Sequence, residues 1–267
     1  MTASVRRRRW AWVLSLGALF GGDACAPTGP TASSDFGAAR LEVRFAQAPV
    51  VTIGNRLLFS SELDGLYSTD GTVLGTVLIA PRLWPVHTMT KRGGTAYIGR
   101  DDTLWKSDGT AAGTEIVARL PPPSTQCDRL DGLTTAGHLM FFVVTPCFTD
   151  RDPHVYLWRS DGTDAGTRMV RDIRPGPEDS VPSGLMDGNG RLYFAGFDPE
   201  HGVEPWTSDG TASGTFMIRD LIRGAVSSRP RWLGAVGHSA LLSAHNGDPY
   251  REDRDMWIVE APASPSP

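Results

Sequence analysis

His201 stands among Asp198, Glu200 and Glu204, an imidazole with three carboxyl groups close by in sequence. A metal centre needs ligands at spacings that a helix or strand turns onto one face, and this run has no recognised spacing of that kind, so no metal or cofactor is expected. Hydrolysis of a glycoside would need two or three carboxyl groups converging on one bond. Asp128, Asp131 and Asp187 are the acids that fall in or beside the segments best suited to line such a site. No Gly-x-Ser-x-Gly elbow, His-Glu-x-x-His pair or phosphate-binding loop occurs. The expectation is therefore a binding or scaffold module without catalytic residues, with a glycoside hydrolase as the alternative.

Other acids recur with a regularity that points away from chemistry. Ser-Asp-Gly-Thr occupies Ser107 to Thr110, Ser160 to Thr163 and Ser208 to Thr211, and Thr69-Asp70-Gly71-Thr72 is an altered first copy. An aromatic residue precedes each copy, at Tyr67, Trp105, Trp158 and Trp206, and a second Gly follows at Gly75, Gly113, Gly166 and Gly214. Asp-Gly between two apolar runs is a tight turn, with Gly free to take positive φ and Asp able to accept backbone N–H groups. A calcium loop would want carboxylates at alternating positions, and no copy has them.

The elements around these turns are short strands. An apolar strand precedes each aromatic unit, over residues 57–59, 96–98, 139–142, 192–194 and 240–242, and before each lies a Gly-containing turn and another short strand, over residues 50–53, 86–89, 130–134, 183–186 and 231–234. That makes four strands per unit. Successive Asp-Gly turns are 38, 53 and 48 residues apart, the period of propeller blades. With 30 Gly, 20 Pro and no long helical period, the chain reads as all-β.

Tyr156-Leu157-Trp158-Arg159-Ser160-Asp161-Gly162-Thr163, with Gly166-Thr167, Val170, Asp172-Ile173 and Pro175-Gly176 after it, resembles the ELWxxDGT repeat of bacterial exported proteins, also called hyalin-like. The resemblance runs from about residue 50 to residue 259. The leading Glu survives only at Glu204, where Pro205 replaces Leu, and the first copy has Tyr67 and Thr69. The resemblance implies an exported repeat domain and supplies no catalytic residues.

The two ends of the chain suggest how the repeats close. The last unit stops after Asp255-Met256-Trp257-Ile258-Val259 without its fourth strand, while Arg40-Leu41-Glu42-Val43-Arg44-Phe45 is a lone strand similar to Met169-Val170-Arg171-Asp172-Ile173. A five-bladed β-propeller of four-stranded blades, its last blade closed by the N-terminal strand, is the expected fold. An open stack, which would need capping ends, and two separate domains are the alternatives.

In such blades the Asp-Gly-Thr turns gather at one end and longer, unequal loops at the other, where binding usually sits. The long-loop end would carry Asp64, Asp101, Asp102, Asp150, Asp152, Asp198, Glu200, Asp248, Glu252 and Asp253. Trp84, Asp101, Asp152, Glu200 and His201 form the expected ligand face for an unknown protein or glycan. The acids also suit a bland role as solvated turn residues. Trp84 can either stack on a sugar or plug the core.

Arg6-Arg7-Arg8-Arg9 and the apolar run over residues 10–20 form an export signal too short to span a membrane comfortably. Cys25 after Gly22-Asp23-Ala24 resembles the lipobox of bacterial lipoproteins, which implies a lipid on Cys25 and an outer-membrane or cell-surface location; ordinary cleavage into the periplasm or medium is the rival. The organisation expected is a signal over residues 1–24, a tether over 25–35, the propeller over 36–260 and a disordered tail over 261–267. Without residues 1–24 the chain has 22 basic and 29 acidic side chains, about −7 in net charge, which argues against nucleic acid as a partner. Cys127 and Cys147 flank Gly137 at equal distances, so a hairpin turning there would bring the sulfurs together as a disulfide in an oxidising compartment; two unrelated thiols are the other reading.

Overall fold

The structure is a computed structural model, described here over residues 49–120, 129–145, 155–173 (without the side chain of residue 172), 182–237, 239–247 and 253–260. Within these residues the chain forms five antiparallel sheets, and the all-β expectation holds. The first sheet is β1 (Val51–Ile53), β2 (Arg56–Ser60), β3 (Gly65–Thr69) and β4 (Val77–Pro81). The second is β5 (Thr88–Arg92), β6 (Thr95–Arg100), β7 (Thr103–Ser107) and β8 (Glu115–Arg119). The third is β9 (Arg129–Ala136), β10 (Leu139–Thr145), β11 (Val155–Ser160) and β12 (Arg168–Ile173). The fourth is β13 (Ser183–Gly188), β14 (Arg191–Asp198), β15 (Gly202–Ser208) and β16 (Phe216–Met217), and the fifth has only β17 (Arg231–Val236), β18 (Ser239–His245) and β19 (Arg254–Glu260). Each sheet is a simple up-and-down meander in chain order.

Strand alternation gives each sheet two apolar faces, and the sheets stack by one rule. The face that bears the repeat aromatic, called the front here, packs on the opposite face, or back, of the sheet before it. Phe142 is the register partner of Trp158 on the front of the third sheet, and both pack with Tyr97, Leu104 and Val117 on the back of the second. Phe194 and Trp206 pair likewise on the fourth sheet and pack with Phe141, Val143 and Leu157 of the third. Ile98 and Trp105 of the second sheet meet Leu58, Leu66 and Ile79 of the first. Leu242 and Trp257 of the fifth meet Tyr193 and Met186 of the fourth. Burying one Leu or Phe side chain completely contributes about 1.5–3 kcal/mol, so these layers dominate the stability.

Arginines tie neighbouring sheets together. Arg92 Nη1, at the end of β5, donates to the carbonyls of His138 (2.9 Å) and Asp161 (2.8 Å) in the third sheet's turns. Arg171, on β12, donates to the Thr215 carbonyl at 2.6 Å and lies over the Trp206 ring, 5.2 Å from its centroid.

The fifth sheet has three strands, and the segment expected to complete it, residues 40–45, lies outside the described residues, as do the signal, the tether and the tail. Leu233, Val236, Met256 and Ile258 on its back are 56–85% exposed, where a ring closed within one chain would bury them.

Candidate functional site

The Asp-Gly-Thr turns are closed hydrogen-bond circuits. In the second sheet, Asp108 Oδ1 accepts from the Thr110 amide (2.9 Å) and hydroxyl (2.7 Å), and Thr110 Oγ1 accepts in turn from the Gly113 amide at 3.0 Å. Thr114 Oγ1 donates to the Thr110 carbonyl at 2.6 Å. Its one proton is thereby engaged, so in the 2.7 Å contact with Ser107 Oγ the serine is the donor. Ser107 Oγ also accepts from the Gly109 amide at 3.1 Å. The same contacts recur around Asp70, Asp161 and Asp209. Hydrogen bonds from the threonine hydroxyl and amide hold the Asp70, Asp108 and Asp161 carboxyls below the ordinary aspartate range. At Asp209 burial pulls the other way, and the same bonds prevail. All four carboxylates are thus engaged within their own turns, which makes this end of the sheets structural.

The opposite end carries the unequal connections, and there the expected ligand-face residues fall into two groups. The first surrounds Trp84 and Asp101. Leu83 and Val86 are buried between the first and second sheets, which pins the linking segment and leaves Trp84 between them 42% exposed, so it is not a plug over the core. Asp101, in the turn between β6 and β7, lies 3.4 Å from His87 Nε2 and 3.2 Å from Arg100 Nε, the latter a charge contact without hydrogen-bond geometry. Arg100 Nη1 donates to the Arg82 carbonyl at 2.8 Å, which ties this turn to the segment that holds Trp84.

The second group is the β14–β15 turn. Asp198 Oδ1 meets His201 Nδ1 at 2.6 Å and accepts from the Glu200 amide at 2.9 Å. Burial works to raise the Asp198 carboxyl, yet the bonds from His201 and the Glu200 amide bring it below its ordinary value. The Asp198 hydrogen bond raises His201 in return. His201 is thus a partner for Asp198, and the Glu200 side chain is left exposed. Asp152, the fifth expected residue, lies outside the described residues, and so do Cys25, Cys127, Cys147, Asp128, Asp150, Asp248 and Glu252. Among the described residues, no three His, Cys, Asp or Glu side chains gather as a metal-holding group.

Of the acids considered for glycoside cleavage, Asp131 and Asp187 lie among the described residues, each engaged within its own sheet. Asp131, third in β9, pairs with Arg129 at 2.7 Å, whereas Asp187, second from the end of β13, accepts from the Gly190 amide in the following turn at 3.0 Å. The turn glycines Gly137 and Gly190 lie side by side, so the two strands are aligned and Asp187 stands level with residue 134. The bulge in β9 lets three of its residues span two positions of β10, so about 7 Å of strand separates that level from Asp131.

Glu204, in sequence a neighbour of His201 and the surviving leading Glu of the repeat, has a structural part that spacing did not reveal. Its side chain is fully buried on β15, where Oε1 accepts from the Ser228 amide (2.9 Å) and Oε2 from the Leu221 amide (3.0 Å) and the Ser228 hydroxyl (2.7 Å). It anchors residues 218–230, which cover the edge of β15 beyond the two-residue β16. Burial raises the Glu204 carboxyl above its ordinary value, against the pull of those hydrogen bonds. The signal was its position: Glu204 is the only copy of the repeat's leading Glu.

No protein-family model and no curated protein matches the sequence. Solved structures do match. An oligogalacturonate lyase in complex with manganese aligns at 11% identity and a TM-score of 0.50, covering 77% of this chain and 59% of the lyase. Citrobacter koseri AztD aligns at 15% identity and a TM-score of 0.51, covering 80% of this chain and 56% of AztD. The chain therefore spans less than two thirds of the length of either protein. At such identities the likeness is one of architecture alone: this chain has a β-propeller-like fold of antiparallel, mostly four-stranded sheets.

Proposed function

We propose that the protein is an exported binding or scaffold module, held at the bacterial outer membrane or cell surface by a lipid on Cys25, that takes a protein or glycan ligand at the long-loop end of its sheets. Five blades, the last completed along β19 by the N-terminal strand of residues 40–45, belong to this reading. The observation that carries it is the division of labour between the two ends. Every Asp-Gly-Thr carboxylate is engaged in its own turn, while the other end presents Trp84 with an exposed ring between buried anchors. An indole face held in this way stacks on a sugar ring or an aliphatic side chain, and Asp101, in the turn tied to the same segment, favours polar or basic groups beside it. The engagement of Asp131 with Arg129 and of Asp187 with the Gly190 amide weighs against the glycoside hydrolase alternative, and the likeness to the lyase reaches only the frame.

The test is a screen of the purified exported chain against immobilised glycans and cell-envelope proteins. Binding that Trp84→Ala weakens at least about tenfold, with the melting temperature unchanged, supports the site. Binding that is indifferent to Trp84→Ala moves the site elsewhere, and sugar cleavage by the pure chain replaces the reading with the enzyme. Labelled fatty acid should follow Cys25, and label persisting in Cys25→Ser removes the anchor.

A further inference from the structure

We propose, resting on the anchored reading above, that the Asp-Gly-Thr turn of the first sheet is a membrane-contact site, where Val73 and Leu74 enter the surface of the bilayer that holds the acyl group on Cys25. The four turns differ at this point. Between the threonine and the second glycine the other copies carry Ala111-Ala112, Asp164-Ala165 and Ala212-Ser213, whereas the first carries Val73-Leu74. The turn itself does not call for them, because its circuit runs through Asp70, Thr72, Gly75 and Thr76 and is closed by the same bonds as in the second sheet. Val73 is 52% exposed and Leu74 94%, which leaves the leucine standing clear of the protein. Leu57, Val77 and Leu78, 36–44% exposed, lie beside the turn on β2 and β4 and carry the apolar surface back from it.

A side chain that projects this far suits lipid, which needs no matching cavity, and each methylene moved from water into hydrocarbon strengthens the contact about fourfold. Two such residues hold weakly by themselves, and the anchor supplies the rest. The segment from residue 26 to residue 48 spans at most about 80 Å even when fully extended, and it leads into the first sheet, the sheet that bears the tip. Tethering at this range raises the effective concentration of lipid to about the millimolar scale, at which a weak contact is kept. The direction agrees as well. Third strands end at the Asp-Gly-Thr turns, so a fourth strand laid antiparallel along β19 begins at that end, and the tether leaves from the end that bears the tip. The Asp70 carboxylate at the base of the tip is met by the Thr72 amide and hydroxyl and lies in the field of Arg56. The long-loop end, with Trp84, then points away from the lipid and is open to ligands.

Vesicle binding tests this with residues 25–267 carrying Cys25→Ser and an N-terminal hexahistidine tag, on vesicles of phosphatidylethanolamine and phosphatidylglycerol that contain a small share of nickel-chelating lipid. The tag stands in for the acyl group, so the result is independent of whether Cys25 is acylated, which the fatty-acid label decides separately. Val73→Ala with Leu74→Ala, which copies the second turn and keeps the circuit, should weaken vesicle binding about tenfold, the loss expected when two of the five carbons removed had reached hydrocarbon. Met256→Ala with Ile258→Ala, which trims exposed apolar surface on the fifth sheet, should leave binding unchanged. Hydrogen exchange of the chain without tip substitutions needs no variant: peptides over residues 71–76 should exchange more slowly on the vesicles, and those over 109–114 should not. Undiminished binding by the Val73-Leu74 variant, an equal loss from the Met256-Ile258 variant, or unslowed exchange over 71–76 overturns the proposal. So does a loss on cell envelopes that protein-free vesicles do not reproduce, since the occupant would then be a protein.

Discussion

The carboxylate of Asp161 occupies the space into which a β-carbon on Gly166 would project. The same holds for Asp70 and Gly75, Asp108 and Gly113, and Asp209 and Gly214, so the second glycine of the repeat is a consequence of how the aspartate folds back on its turn. Gly166→Ala should therefore cost about 2 kcal/mol or more in urea unfolding, because either the methyl or the carboxylate must move and the circuit must open. Gly94→Ala, where a β-carbon meets nothing within 4 Å, is the control and should change stability by less than about 1 kcal/mol.

Acid should unfold the protein through those same turns. Asp70, Asp108, Asp161 and Asp209 all have folded-state values below the ordinary 3.8, so each contributes stability above that value that is lost as pH falls through its folded value. The melting temperature of the protein should decline increasingly steeply as pH is lowered through the acidic aspartate range. Asp161→Asn, which cannot titrate, should flatten the slope; an unchanged slope would mean that the turns do not govern acid unfolding.

Glu204 should behave in the opposite sense. Its folded value lies above the ordinary 4.5, so its contribution is full below that value and diminishes as pH rises through the folded one. The stability advantage of the unsubstituted chain over Glu204→Gln should accordingly be larger at about pH 4 than at about pH 8 in urea titrations. Glu204→Ala leaves the Leu221 and Ser228 donors without their acceptor and should cost roughly 3 kcal/mol at acid pH.

The register of β9 and β10 bears on the cysteine pair. A bulge between Phe141 and Val143 shifts the pairing by one residue, after which Val144 faces Leu130 and Thr145 faces Arg129. A disulfide between Cys127 and Cys147 requires this register to continue for two more residues. Peptide mapping without reductant should recover Cys127 joined to Cys147, and Cys127→Ser with Cys147→Ser should cost about 3 kcal/mol, the value expected for a loop of this size. Free thiols at both positions would refute the pairing.

Much of the frame was legible because its grammar is local. Asp-Gly marks the turns, the aromatic before it marks the third strand, and period-two alternation then places Phe142 beside Trp158 and Phe194 beside Trp206. The bulge in β9–β10 and the shrinkage of the fourth strand to Phe216–Met217 were not legible, since both depend on packing between distant segments. The candidate site was legible only in part. His201 and Asp198 are near in sequence and do meet, but the exposure of Trp84 is set by the burial of Leu83 and Val86 against another sheet. Asp131 and Asp187 occupy equally plausible positions in the sequence, and only the alignment of Gly137 with Gly190 shows that they stand at different levels.

Each hydrogen-bond circuit is confined to eight successive residues, from Ser107 to Thr114 in the second sheet and from Ser160 to Thr167 in the third. A chain delivered in an extended state, one end first, can therefore lock a hairpin as soon as those residues emerge, without waiting for partners still to arrive. Short-range wiring of this sort lowers the entropy of loop closure and lets assembly advance module by module from the leading end.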